Sequence, residues 1–331
     1  MIAHNRPTVG VEEAKAANRV LSSGWLAQGK EVENFENKFC QFLGLNIGHA
    51  VAVSSGSSAL YLALWALKAK DKNVAYPSYV CSALRNAVSL AGANHEIIDI
   101  EKDSPNIDIN LLNNLNPEIS IIPHMFGNPV DINKINTKYI IEDCCQSLGA
   151  KYNNINTGIS SDLGIFSFYA TKLITSGGQG GMVVSKDKSI INEIKDYRDF
   201  DMQNDKKNRF NFQMTDLQAA IGAEQLKKLP YFLERRLEIF SKYLDTKLNF
   251  QICKTNNGNP INYRAILLDR NPKKLIKKLF NNNINAIVPI EEWELLKKTP
   301  NALSYSNRTV SLPIYPSLSN KELNHIINII K

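Results

Sequence analysis

The chain has 331 residues, 44% hydrophobic and 21% charged, an ordinary globular balance with length enough for two domains around a sizeable core. Its net charge of +7 comes from lysines spread along the sequence and interleaved with asparagine, as in NPKKLIKKLF; that favours a solvated surface or an anionic small substrate over nucleic acid. No apolar run is long enough to cross a bilayer as a helix, the start MIAHNRPTVG lacks the regions of a signal peptide, and five scattered cysteines form neither a disulfide framework nor a CxxC metal pair; the expectation is a reduced, cytoplasmic protein with no metal and no membrane contact.

Strands and helices alternate along the chain. AVAVSS (50–55) reads as a buried strand and residues 57–70 as the helix after it. NVAYPS is a strand, YVCSALRNAVSLAGA a helix ending at a glycine, and HEIIDI, ISIIPH and YIIED are further short apolar strands. Such alternation predicts an α/β fold with a mostly parallel sheet covered on both faces. From Thr215 an amphipathic pattern runs to residue 244, with a kink expected at Pro230. RAILLD, a helix around KKLIKKLF, AIVPI, TVSLPI and a last helix from Asn320 then predict a smaller α/β domain. The expected division is residues 1–234 and 235–331.

Parallel sheets hold their ligands beyond the carboxyl ends of the strands, so three strand ends carry the candidate chemistry. In SSGSSAL, Gly56 permits a tight turn, and Ser57 and Ser58 fall at the cap and first turn of the next helix. Hydroxyls, free N–H groups and the helix dipole there make a phosphate seat, or simply a helix cap. In YIIEDCCQSLGA, Asp143 ends an apolar strand, where a carboxylate is costly unless a cation or a helix N-terminus meets it. In GIFSFYATKLITSGGQGG, Ser167 precedes Lys172 by five residues, and four glycines follow within five positions. A partly desolvated lysine in such a place can lose its proton and act as a nucleophilic amine. A phosphate seat, a strand-end aspartate and a lysine beside a glycine loop are together what pyridoxal 5'-phosphate requires.

The order of these motifs resembles that of the DegT/DnrJ/StrS family of sugar aminotransferases. The likeness is carried by SGWLAQGKEVENFE, SSGSSALYLAL, PSYVCSALRNAV, HMFGNPVDI, IEDCCQSLGA, GIFSFYATKLITSGGQGGMVVS and NFQMTDLQAAIGAEQL, and returns at SLPIYPSLS. The resemblance implies the pyridoxal-phosphate transferase fold of type I: a three-layer large domain with a mostly parallel mixed sheet, plus a smaller C-terminal α/β domain. It gives Lys172 the Schiff-base and proton-shuttle role and Asp143 the pairing with the pyridine nitrogen. It places Gln146 beside the cofactor ring, and Ser57, Ser58 and Ser167 on the phosphate. Asn211 and Gln213 fall in the segment through which a partner subunit reaches that phosphate, which implies a homodimer with shared sites. Trp25 and Leu26 match a segment at the substrate entrance.

Two positions depart from the family pattern. Cys81 stands where an aromatic residue usually stacks on the ring, with Tyr79 as a candidate substitute, and Gln213 replaces a common arginine. The activity implied is ping-pong transfer of an amino group from an amino acid, usually L-glutamate, to a nucleotide-linked keto sugar, for amino-sugar and surface polysaccharide (lipopolysaccharide O-antigen) biosynthesis. The alternatives are a cofactor-binding but idle regulatory protein and a sugar dehydratase; dehydrating members carry histidine in place of the lysine, and Lys172 argues against them.

Overall fold

A computed structural model describes residues 1–253 and 256–331. Seven strands form the main sheet: β1 (Ala50–Val53), β2 (Asn73–Pro77), β3 (Asn94–Ile98), β4 (Ile119–Pro123), β5 (Tyr139–Asp143), β6 (Leu163–Ser167) and β7 (Gly181–Val184). Their spatial order is β1-β7-β6-β5-β4-β2-β3, and β7 alone runs antiparallel to its neighbours. The sheet is therefore mixed but mostly parallel, as the alternating pattern predicts.

The two-residue period of a strand decides which helices each face meets. Val51, Val53, Ile165 and Val183 pack with Leu60, Leu64, Leu84 and Ile194, from α3 (Gly56–Ala66), α4 (Ala83–Leu90) and α6 (Lys188–Arg198). Ala50, Ala52, Phe166, Met182 and Val184 face the other way, onto Phe35 and Phe39 of α2 (Lys30–Leu43) and Ala219, Ala223 and Leu226 of α7 (Asp216–Leu244). The result is a three-layer helix–sheet–helix arrangement.

Helix α7 runs 29 residues and contains Pro230, continuing past it as the sequence pattern does. Thr215 opens it with a capping box: its Oγ1 accepts from the Gln218 N–H at 3.2 Å, and Gln218 Oε1 accepts from the Thr215 N–H at 3.0 Å. The far half of α7 buries Ile239, Phe240 and Tyr243 in another apolar cluster with Ala265 and Leu267 of β8 (Ala265–Leu268), Val310 and Leu312 of β9 (Thr309–Leu312), and Leu323 and Ile326 of α10 (Asn320–Ile330). Ile266, Ile290 and Tyr305 join the first cluster instead, so the C-terminal elements also pack against the large sheet. AIVPI is not a regular strand; it makes a single bridge, Ile287 to Ser311.

Candidate active site

Beyond the carboxyl ends of β1, β4, β5 and β6 lies a cavity of about 180 Å³, whose wall includes Gly56, Ser57, Cys81, Asp143, Gln146, Ser167 and Lys172. The fold thus brings together seven of the residues singled out from the sequence, drawn from segments up to about 115 positions apart. Each wall has a local cause.

The phosphate-seat segment is the start of α3. Ser55, not Ser57 or Ser58, is the N-cap, and its Oγ accepts from the Ser58 N–H at 3.0 Å. The first turn leaves the N–H groups of Gly56 and Ser57 without helical acceptors at the cavity wall. Ser58 is buried, and its hydroxyl is bonded to Ser54 Oγ at 2.9 Å and Ser55 Oγ at 2.8 Å, so it does not line the cavity. This corrects the equal treatment of the two serines. Gly56 is needed for space rather than for a turn: a Cβ there would stand 2.7 Å from Ser167 Cβ.

Asp143 is the last residue of β5 and is buried, with Oδ1 accepting from the Cys145 N–H at 3.0 Å. Among the described residues no lysine or arginine forms an ion pair with it. Gln146, three residues on, accepts from the Phe126 N–H at 3.0 Å.

Lys172 follows β6 in a loop closed by its own N–H to Tyr169 O at 2.9 Å and by Ser176 N–H to Phe168 O at 3.1 Å. Gly177, at φ 79°, lets the chain turn back toward β7. The amine is not depressed, contrary to the expectation from desolvation. Burial pulls its pKa down, but Tyr263, Cys145, Cys81 and Asp143 outweigh that and push it above the ordinary lysine value. Burial, and Asp143 after it, push the Cys81 and Cys145 thiols up in turn.

Cys81 is exposed to the cavity. Tyr79 does not replace the missing aromatic ring; it is fully buried, edge-on to Phe126 and Tyr305 at 6.2 and 5.2 Å between centroids. Asn211 is exposed and outside the cavity of its own chain, its Oδ1 accepting from the Gln213 N–H at 3.0 Å. Trp25 and Leu26 are also exposed; Trp25 borders a separate crevice with Gly29 and Asp216.

The sequence reading missed several contributors. Cys145, Tyr169 and Gln179 line the cavity, and each sits inside a motif already quoted, so proximity could have found them. Tyr263 could not have been found that way. Its ring lies 5.8 Å from Lys172 Nζ and 5.6 Å from the Arg264 guanidinium. Although burial raises the phenol's pKa, Lys172, Arg264 and Arg236 bring it below the usual value.

The sequence profile of the DegT/DnrJ/EryC1/StrS aminotransferase family matches residues 7–331. This chain belongs to that family. The aminotransferase is 31% identical to GDP-perosamine synthase of Vibrio cholerae, across 100% of this chain and 98% of that enzyme. It is 34% identical, over 73% of its own length and 69% of the relative's, to UDP-4-amino-4,6-dideoxy-N-acetyl-beta-L-altrosamine transaminase of Campylobacter jejuni. Among solved structures, Helicobacter pylori PseC, an aminotransferase involved in the biosynthesis of pseudoaminic acid, superposes with a TM-score of 0.90 at 24% identity, covering 99% of this chain and 98% of that one. The fold is that of the pyridoxal-phosphate-dependent aminotransferases, and pyridoxal 5'-phosphate is the cofactor.

The aminotransferase's cavity fits that cofactor. It offers an amine, an anionic wall at a strand end, and a helix N-terminus whose glycine leaves open the space a Cβ would take. No helix of the aminotransferase is long and apolar enough to cross a membrane.

Proposed function

We propose that this aminotransferase moves an amino group from an amino acid, L-glutamate, to a nucleotide-linked keto sugar in amino-sugar synthesis for a surface polysaccharide. The observation that carries the reading is the convergence of Lys172, Asp143, Gln146 and the α3 N-terminus on one cavity, in a chain with relatives named as a GDP-perosamine synthase and a UDP-amino-sugar transaminase.

Pyridoxal phosphate, when bound, supplies the electron sink and carries the amino group between the two substrates. Lys172 holds the cofactor and, once released, moves the proton at the reacting carbon. The Asp143 carboxylate would pair with the ring nitrogen and favour its protonated form. The N–H groups of Gly56 and Ser57, with the Ser57 and Ser167 hydroxyls, receive the phosphate. Gln146 and Cys81, both on the cavity wall, would help to hold the ring. Ser58 serves by fixing the cap. Residues 235–331 form a smaller domain, which brings Tyr263 to within 5.8 Å of Lys172 Nζ. The working unit is a cytoplasmic homodimer in which Asn211 and Gln213 reach the partner's phosphate seat; the supporting observation is that both lie outside their own cavity, Asn211 exposed and Gln213 half-buried.

Borohydride treatment of the holoenzyme, followed by peptide mapping, tests the site: the cofactor mass should be fixed on the peptide containing Lys172, and a label on another lysine refutes the assignment. Mass spectrometry of keto sugar nucleotides incubated with glutamate tests the reaction; no aminated product from any of them refutes the substrate class. Mixing Lys172→Ala protein with a variant bearing Asn211→Glu and Gln213→Glu should restore activity as subunits exchange. Verified exchange without recovery rules the shared site out.

A further inference from the structure

Asp143 is preceded on β5 by a second carboxylate, Glu142, which leaves the opposite face of the strand and is 1% exposed. Its partner is His124, also 1% exposed, at the end of β4. The histidine's tautomer follows from its contacts. Nδ1 accepts from the Val130 N–H at 3.0 Å, so the ring proton sits on Nε2 and is donated to Glu142 Oε2, also at 3.0 Å. The same oxygen accepts from the Gly158 N–H at 2.9 Å, while Oε1 accepts from the Ser160 N–H at 2.8 Å and Ser161 Oγ at 3.0 Å. Burial raises the Glu142 pKa, but these donors outweigh it and hold it below the ordinary value. A buried carboxylate is therefore kept ionised by four hydrogen bonds and no arginine or lysine among the described residues.

Those bonds tie three segments to one point. The first is the end of β5 itself, where the His124 N–H also donates to Asp143 O at 3.2 Å. The second is the turn from 124 to 130, which places Met125 on the cavity wall and aims the Phe126 N–H at Gln146. Phe126 sits there at φ 59°, a conformation a bulky residue keeps only when its surroundings impose it. The third is the loop 158–161 leading into β6, the strand that ends at Ser167.

We propose that the buried side chains of Glu142 and His124 are a positioning device for the cofactor wall, which His124 itself helps to line, fixing Asp143, Gln146 and the approach to Ser167. Cys144 lies close enough to complete a metal-like trio with the pair, but their facing atoms are already engaged in hydrogen bonds. The inference rests on the site reading given above.

The test uses full-length holoenzyme carrying Glu142→Gln, His124→Phe or His124→Gln. Glu142→Gln turns amide protons toward existing donors. His124→Phe removes both ring contacts, whereas the amide of His124→Gln reaches the Nε2 position and keeps the donor. Three quantities are read: the pyridoxal phosphate dissociation constant by titration, the pH dependence of the bound cofactor's absorbance, and the melting temperature without cofactor. Glu142→Gln and His124→Phe should weaken cofactor binding at least about tenfold and displace the absorbance titration, with His124→Gln restoring most of both. If His124→Phe does not fold, the comparison of Glu142→Gln with His124→Gln decides. A lowered melting temperature with cofactor affinity and titration unchanged makes the pair merely structural and overturns the proposal. So does stoichiometric metal on the purified protein. A borohydride label away from Lys172 in the wild type would instead defeat the underlying site reading, and the proposal with it.

Discussion

Replacing Gly56 with Ala sets two effects of known sign against each other. In the first turn of α3, alanine is the better helix former by up to about 1 kcal/mol. Gly56 has no positive φ, so the new residue meets no backbone strain. Its Cβ, however, would lie 2.7 Å from Ser167 Cβ, 3.0 Å from Ser167 Oγ and 3.4 Å from Cys145 Sγ. Ser167 has little room to retreat, because it is held in register with Gly181, which itself lies against the backbone of Ser55. Overpacking of this kind costs about 1–3 kcal/mol. Sterics should therefore win, by about 1–2 kcal/mol, lowering the melting temperature by roughly 1.5–3 °C for a chain of 331 residues. Cofactor affinity should fall as well, since the shifted residues are those assigned to the phosphate. Calorimetry of the cofactor-free protein measures the first effect and cofactor titration the second. Adding Ser167→Gly removes the clashing atoms, so the double variant should be more stable than the sum of the singles predicts. A Gly56→Ala protein that melts higher than wild type, or strict additivity in the cycle, would refute this account.

Asp143→Asn keeps an oxygen for the Cys145 N–H but removes the charge; kcat should fall at least about 10²-fold with the fold intact, and near-normal turnover would mean that the ring nitrogen is paired elsewhere. His4 is brought from an ordinary 6.5 to about 3, by burial and then by the Arg264 guanidinium. Its folded pKa is depressed, so the folded state binds fewer protons than the unfolded one between those values, and stability should drain away as pH falls from 6.5 toward 3. His4→Gln should flatten that slope in urea titrations; an unchanged slope would exonerate the histidine.

Much of the fold and part of the candidate site were legible in the sequence, because both follow from short-range rules. A run such as YIIED buries alternate residues on the two faces of a sheet, and a polar residue at its end must lie at the sheet's edge. Lys172, Asp143 and Gly56 could therefore be placed at strand ends before any contact was known. What those rules do not encode is which neighbour claims each polar atom. Ser57 and Ser58 are equivalent in sequence, yet Ser55 takes the cap and draws the Ser58 hydroxyl inward. Tyr79 and Cys81 belong to one motif, but packing against Phe126 and Tyr305 keeps the ring out of the cavity. Lys172 is likewise read as a lysine that burial would deprotonate, and the anionic side of the cavity reverses the sign. Tyr263 and the His124–Glu142 pair depend on contacts across 91 and 18 positions, which no local period carries. Local pattern fixed where the chain could present its chemistry, and only the long-range packing of loops beyond the sheet decided which side chains meet there.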